Sequence, residues 1–164
     1  MKTYTAYHSS PLGQLKIQCS DAHVQAVLFT KEAAAATQND EHPLLKLCVE
    51  QLDEYFYGQR QTFELPLQQK GTDFQQKVWT LLLQIPFGKT LSYNDLSKRY
   101  GDLKAIRAVA SANGKNNLAI IVPCHRVIGS NQSLTGYAGG LWRKKWLLEH
   151  EAKHHSGVMT LEFE

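Results

Sequence analysis

The chain has 164 residues, enough for one ordinary domain or two small ones, and a hydrophobic content of 43% supports a packed core. No apolar run approaches the roughly 20 residues of a membrane span, and "MKTYTAYHSSPLG" has no basic segment leading into an apolar one, so a cytoplasmic protein without membrane contact is expected. The net charge of +3 is unevenly spread: residues 1–70 carry 6 Lys and Arg against 8 Asp and Glu, and residues 71–164 carry 12 against 7, which fits either a solvated basic face or a surface that meets a polyanion.

Three cysteines, Cys19, Cys48 and Cys124, form no CxxC pair and suit a reducing compartment with free thiols. The N-terminal third alternates strand-like runs with turns, "TYTAYHS", "GQLKIQCS" and "VQAVLFT", which predicts a small antiparallel sheet. After the breaker-rich "EAAAATQNDEHP", the residues Leu44, Cys48, Leu52 and Tyr55 or Phe56 recur at helical spacing up to Gly58. Cys48 lies on that apolar stripe and reads as core filling, whereas Cys19 has no evident partner. "TFELPLQQKG" then predicts a last strand and a linker, with a domain boundary near residue 70.

From Thr72 the pattern turns helical. Thr72 and Gln75 form a capping-box signature, with Phe74, Val78, Leu81, Leu82 and Ile85 marking one face up to Pro86. Ser92 caps "YNDLSKRY", Gly101 ends it, and Asp102 caps "LKAIRAVASAN" before Gly114; two short helices around a glycine turn are a helix-turn-helix signature. The second helix is rich in small residues, Ala105, Ala108, Ala110, Ser111 and Ala112, with Arg107 among them, which suits either close approach to a groove or ordinary helix packing. In the following helical stretch Trp142 and Trp146 read as packing residues, and His150 and His154 as solvated.

"AIIVPCHRVIGS" places Cys124 beside His125 and Arg126. A catalytic cysteine needs a base or positive neighbours, because an unperturbed thiol with a pKa of about 8.5 is mostly protonated at neutral pH. Adjacent side chains in an extended strand point to opposite faces, so a relay between Cys124 and His125 requires a turn, which Pro123 could provide. These residues alone leave a buried structural thiol and a nucleophile equally open. A zinc site lacks spaced partners, and no metal or cofactor is expected.

Taken together, "LSYNDLSKRYGDLKAIRAVASANGKNN", "IVPCHRVIGS" and "TGYAGGLWRKKWLLEHE" resemble the O6-alkylguanine-DNA alkyltransferases, the methylated-DNA–protein-cysteine methyltransferases, over about residues 72–151. The resemblance implies an α+β fold, with an N-terminal RNase H-like small sheet plus helix (residues 1–70), a helical C-terminal DNA-binding and acceptor domain with a helix-turn-helix (71–152) and a tail (153–164). It implies single-turnover repair, in which the alkyl group of O6-methylguanine, and of O4-methylthymine, passes irreversibly to Cys124. The partner implied is double-stranded DNA carrying O6-alkylguanine, and the protein is expected to act as a monomer without cofactor.

Residue by residue, the resemblance makes Cys124 the acceptor, His125 its base acting through a water, Glu151 the carboxylate orienting that histidine, Asn116 the hinge, and Tyr93 a donor to the departing guanine. Arg107 would enter the duplex where the flipped guanine leaves, the small residues including Ala108 would admit the helix to the minor groove, and Asn94 and Ser130 would touch the DNA backbone. Val127, Tyr137, Ala138, Gly139 and Gly140 would form the base pocket, the Ala138 N–H and the carbonyls of Cys124 and Val127 meeting guanine edges. Asn117 stands where the family often has proline, Ala110 where it usually has glycine, and Ala138 where some relatives have serine. A lesion sensor that flips the base without transfer, and a multiple-turnover cysteine hydrolase, are the rival functions; sensors of that kind lack the acceptor cysteine that this chain retains.

Overall fold

The computed structural model describes residues 2–32, 39–129 and 136–155. The chain divides into two compact units, residues 1–70 with 117–121, and residues 71–116 with 122–164. The segment Asn117–Ile121, which lies within the expected second domain, thus groups with the first unit.

The first unit is an antiparallel meander of β1 (Tyr4–Ser10), β2 (Gly13–Cys19) and β3 (Val24–Thr30), covered by α1 (Pro43–Phe56). Alternation on β2 buries Leu15, Ile17 and Cys19 and turns Gln14, Lys16 and Gln18 away, as a half-covered sheet requires. From α1, Leu45, Cys48, Leu52, Tyr55 and Phe56 supply the facing layer; Pro43 starts the helix and the His42 ring accepts the Leu44 N–H. Cys48 is therefore core filling, its thiol pushed up to about 12 by burial and by neighbouring Cys19.

The predicted strand in "TFELPLQQKG" shrinks to one parallel bridge, Val24 with Leu67. Pro66 has no N–H to donate, and the Glu64 backbone is already paired with the buried Gln51 carboxamide, at 2.9 Å to its N–H and 3.1 Å to its carbonyl. A second bridge joins Val27 to Leu118, where Val27 N–H donates to the Asn117 carbonyl at 2.8 Å. The Asn117 N–H is itself used, donating to Gln69 Oε1 at 2.9 Å; a proline there would forfeit that bond, which accounts for one departure from the family pattern.

The second unit contains α2 (Asp73–Leu82), β4 (Leu91–Ser92), α3 (Tyr93–Tyr100), a 3₁₀ turn at Leu103–Ala105, α4 (Ile106–Gly114), a second 3₁₀ turn at Cys124–Arg126, β5 (Val127–Ile128) and α5 (Leu141–His154). The Thr72–Gln75 capping box closes in both directions. Ser92 caps α3 through the Asp95 N–H, and Gly101 ends it at φ 110°, in the left-handed region that suits glycine. Asp102 caps the 3₁₀ turn from which α4 continues, so the helix-turn-helix forms where its signals lie.

Val78, Trp79, Leu82, Leu96, Val109 and Leu147 form the core of this unit. The sequence stripe omits Trp79, yet its indole N–H donates to the Ala112 carbonyl at 2.9 Å, fastening α4 to α2, and its ring packs so closely on Gly71 that a Cβ there would collide. Two expectations for α5 fail. Trp142 is 56% exposed, with the Arg143 guanidinium over its ring, and His150 is buried against the stacked Trp146 ring. No helix among the described residues is long and apolar enough to cross a membrane.

Replacing Trp79 by Phe keeps most of the packing and removes the indole's bond to the Ala112 carbonyl, which is left with the Lys115 N–H at 3.1 Å. Urea denaturation of Trp79→Phe is expected to show a loss of about 1 kcal/mol.

Candidate active site

Cys124 lies at the start of a 3₁₀ turn that follows a tight bend. Pro123, at φ −82° and ψ 63°, is the centre of an inverse γ-turn in which Cys124 N–H donates to the Val122 carbonyl at 2.8 Å. Asn116 Nδ2 donates to the same carbonyl at 2.8 Å and to Cys124 Sγ at 3.3 Å, so one carboxamide fixes both the bend and the thiol. The thiol is 7% exposed; burial pushes its pKa up against the opposing pull of Asn116 and of the Lys144 charge. Among the described residues no group of three or more His, Cys, Asp or Glu is placed to hold a metal ion.

Within the turn, His125 and Arg126 both reach Glu151 of α5. His125 Nε2 lies 2.7 Å from Glu151 Oε2, Arg126 Nε donates to Oε1 at 2.7 Å, and a second guanidinium nitrogen donates to Oε2 at 3.0 Å. Arg126 also donates to the Ile85 carbonyl at 2.6 Å, and the Gly88 N–H reaches Glu151 at 3.4 Å. Arg126 is therefore a positioning residue, and not the positive neighbour of the thiol that the sequence offered.

The electrostatics decide the histidine's state. Burial and the nearby positive charges lower the His125 pKa more than Glu151 raises it, so the ring is neutral. A carboxylate only accepts, so the ring proton sits on Nε2; Nδ1, which has no hydrogen-bond partner among the described residues, keeps a lone pair that can take a proton. Burial alone would raise the Glu151 pKa, but His125 and Arg126 outweigh it and hold the carboxyl well below the usual carboxylate range.

Lys144, fully buried on α5, is a site residue that sequence reasoning missed. Burial lowers its pKa to about 8 against the pull of the Cys124 charge, and its ammonium lies 5.9 Å from the centre of the Tyr93 ring. Its neighbours in "LWRKKWLLEHE" gave no sign, because a lysine in a basic helix ordinarily reads as solvent-facing.

Beside this centre opens a pocket of about 680 Å³, with Tyr93, Arg107, Ala110, Asn113, Tyr137 and Ala138 in its walls. Parallel pairing of β4 with β5, Leu91 with Val127 and Ser92 with Ile128, brings the start of α3, and with it Tyr93, to the chain that leaves Cys124. Burial, with the adjacent Cys124 charge, pushes the Tyr137 phenol well above its ordinary value, so it stays protonated. Arg107 and Ala108 are exposed on α4, as are Ser111 and Gly114, a stripe in which Arg107 is the only long side chain. Asn94 is half-buried on the first turn of α3, Val127 and Gly139 are buried and do not line the pocket, and Ser130 lies outside the described residues.

The family model for 6-O-methylguanine DNA methyltransferase, DNA binding domain, matches residues 73–153, and that for its ribonuclease-like domain matches residues 3–69. The constitutive methylated-DNA–protein-cysteine methyltransferase of Bacillus subtilis is 47% identical over 146 residues, covering 85% of this chain and 88% of its own. The chain belongs to the methylated-DNA–protein-cysteine methyltransferase family. Its fold follows that of this methyltransferase family: the crystal structure of the Mycobacterium tuberculosis O6-methylguanine methyltransferase superposes with a TM-score of 0.84 at 39% identity, over 99% of this chain and 100% of the other. The M. tuberculosis OGT structure in complex with DNA gives 0.82 at 40% identity, over 92% and 93%.

The buried carboxylate sets an acid limb on the stability of this methyltransferase. Below about pH 6.5 the unfolded chain protonates His125 while the folded state resists, and below about 4.5 the same applies to Glu151, so both contributions are present at neutral pH and lost as pH falls. Glu151→Gln is expected to cost about 3–5 kcal/mol at pH 7, since it leaves a buried Arg126 charge unpaired, and to flatten the loss between pH 5 and pH 3. Urea midpoints measured across pH check both.

Proposed function

We propose that this methyltransferase repairs DNA by moving the alkyl group of O6-methylguanine, and of O4-methylthymine, onto Cys124 in a single irreversible event. The observation that carries the reading is the buried thiol on a 3₁₀ turn beside a neutral histidine whose Nε2 is committed to Glu151. His125 Nδ1 takes the thiol proton through a water, and Glu151 with Arg126 holds the ring in the tautomer that makes this possible. The Sγ–carbon bond forms as the carbon–O6 bond breaks, the electron pair stays on guanine, and the Tyr93 hydroxyl supplies the proton that neutralises it. Tyr93 is restored by the proton that left the thiol. The developing thiolate is stabilised by the Asn116 amide and the Lys144 ammonium. A thioether offers no leaving group for return, so each protein acts once.

The base reaches Cys124 by flipping from a DNA duplex. The exposed stripe of Arg107, Ala108, Ser111 and Gly114 supports approach to the minor groove, about 6 Å wide, because small residues let the backbone come close. The Arg107 guanidinium occupies the space the base leaves, Asn94 and Ser130 hold the backbone, and the pocket walls Tyr137 and Ala138, with Gly139 beside them, receive the base. The protein works as a monomer in the cytoplasm, where free thiols persist.

With duplex DNA carrying methyl-labelled O6-methylguanine, one label per protein is expected on the Cys124 peptide. None would indicate a lesion sensor, and turnover beyond one a hydrolase; label retained by Cys124→Ala would refute the acceptor assignment. Arg107→Ala is expected to slow repair of duplex DNA about tenfold or more while affecting the free base O6-benzylguanine by less than threefold; equal losses would remove the flipping role.

A further inference from the structure

We infer that Arg143 is a positioning residue that clamps the pocket loop, residues 136–140, onto α5, and that the exposed Trp142 is the platform holding its guanidinium in place. The inference rests on the pocket's being the base site proposed above. Tyr137 and Ala138 stand in the pocket wall, on a five-residue loop in which three residues are glycine. Gly136 and Gly140, at φ 52° and 91°, bend the loop near both ends at angles that suit glycine. Glycine loses more conformational freedom on ordering than any other residue, so such a loop keeps one shape only where it is tied down. One tie is internal, the Gly140 N–H donating to the Tyr137 carbonyl at 2.9 Å. Another comes from α5, where Arg143 Nη1 donates to the carbonyl of the buried Gly139 at 2.8 Å.

The start of α5 is a poor helix start by ordinary rules. Gly140 provides no side-chain cap, the first turn has no acidic residue, and Arg143, Lys144 and Lys145 follow one another. Positive charge there opposes the helix dipole, so a role beyond helix stability is needed to explain it. Lys144 faces the thiol, and the bond to Gly139 gives Arg143 a role of its own. Trp142 is 56% exposed and so contributes little by burial, but the Arg143 guanidinium carbon lies 4.6 Å from the centre of its ring. That stack keeps the planar fork aimed at the loop, which a lysine could not reproduce. The Arg143 charge also reaches the Tyr137 phenol, opposing part of its upward shift. A loosened wall would lower the fraction of protein whose pocket is ready for the base, and apparent base binding would fall by that fraction.

The test combines amide hydrogen exchange of residues 136–140, single-turnover methyl transfer from an O6-methylguanine duplex at saturating protein, and affinity for the same duplex without the lesion. Arg143→Ala is expected to speed loop exchange about tenfold, slow transfer about tenfold, and leave affinity for the unmodified duplex within about threefold. Arg143→Lys, which keeps the charge but not the fork, is expected to recover less than half of the lost rate. Trp142→Ala is expected to slow transfer about threefold by itself and to add nothing to Arg143→Ala. Loop exchange unchanged in Arg143→Ala, transfer unaffected despite faster exchange, or a rate fully restored by Arg143→Lys would each overturn the inference. So would an equal loss of affinity for the unmodified duplex, which would make Arg143 a phosphate contact. Losses from the two alanine substitutions that simply add would remove the platform role of Trp142. Absence of transfer by the native protein would instead reject the proposed function on which the inference rests.

Discussion

The hydrogen bonds that converge on Glu151 are the constraint from which the site's chemistry follows. One carboxylate on α5 accepts from His125 and twice from Arg126, while the same guanidinium reaches back to the carbonyl of Ile85 beyond the end of α2. Buried charges persist only when paired, and here the guanidinium neutralises the carboxylate. A protonated imidazole would add uncompensated charge to this desolvated cluster, so the histidine rests neutral. The proton on Nε2 then serves the carboxylate, and Nδ1 is the nitrogen left with base character. The tautomer on which the proposed transfer depends is thus a consequence of charge balance in a dry interior.

The thiol sits in the opposite regime. Burial makes its resting form neutral, which keeps the thiol from reacting with whatever reaches it. Asn116 and Lys144 offset part of that cost when charge develops on sulfur, and Lys144, lowered to about 8 by its own burial, becomes easier to hold charged as the thiolate forms.

Two tight bends precede Cys124 along the chain. The segment that bridges to β3 at Leu118 turns sharply at Ile120, whose φ of 72° lies in the left-handed region and whose neighbours close a γ-turn, Ile121 N–H to the Ala119 carbonyl at 2.8 Å. A β-branched residue there stores about 1–3 kcal/mol of strain, which the full burial of Ile120 and its neighbours offsets. Pro123 makes the second bend at no such cost, because its fixed φ already suits an inverse γ-turn. Asn116, holding the Val122 carbonyl and the thiol at once, keeps the second bend and Cys124 in register.

What the sequence by itself determined was local. Alternation on β2, the Thr72–Gln75 box, the Ser92 and Asp102 caps and the Gly101 stop depend on near neighbours, and each formed where its residues lie. The family resemblance picked out Cys124, His125, Asn116 and Glu151, which the fold gathers into one centre. Tertiary structure alone decided the rest. "TFELPLQQ" is not a strand because a glutamine from α1 occupies its backbone, Trp142 stands in solvent while His150 is buried, and Arg126 serves Glu151 instead of the thiol. Lys144 became visible beside the thiol only once burial was known, because a side chain's charge is set by neighbours distant in sequence, and no local pattern records who those neighbours are.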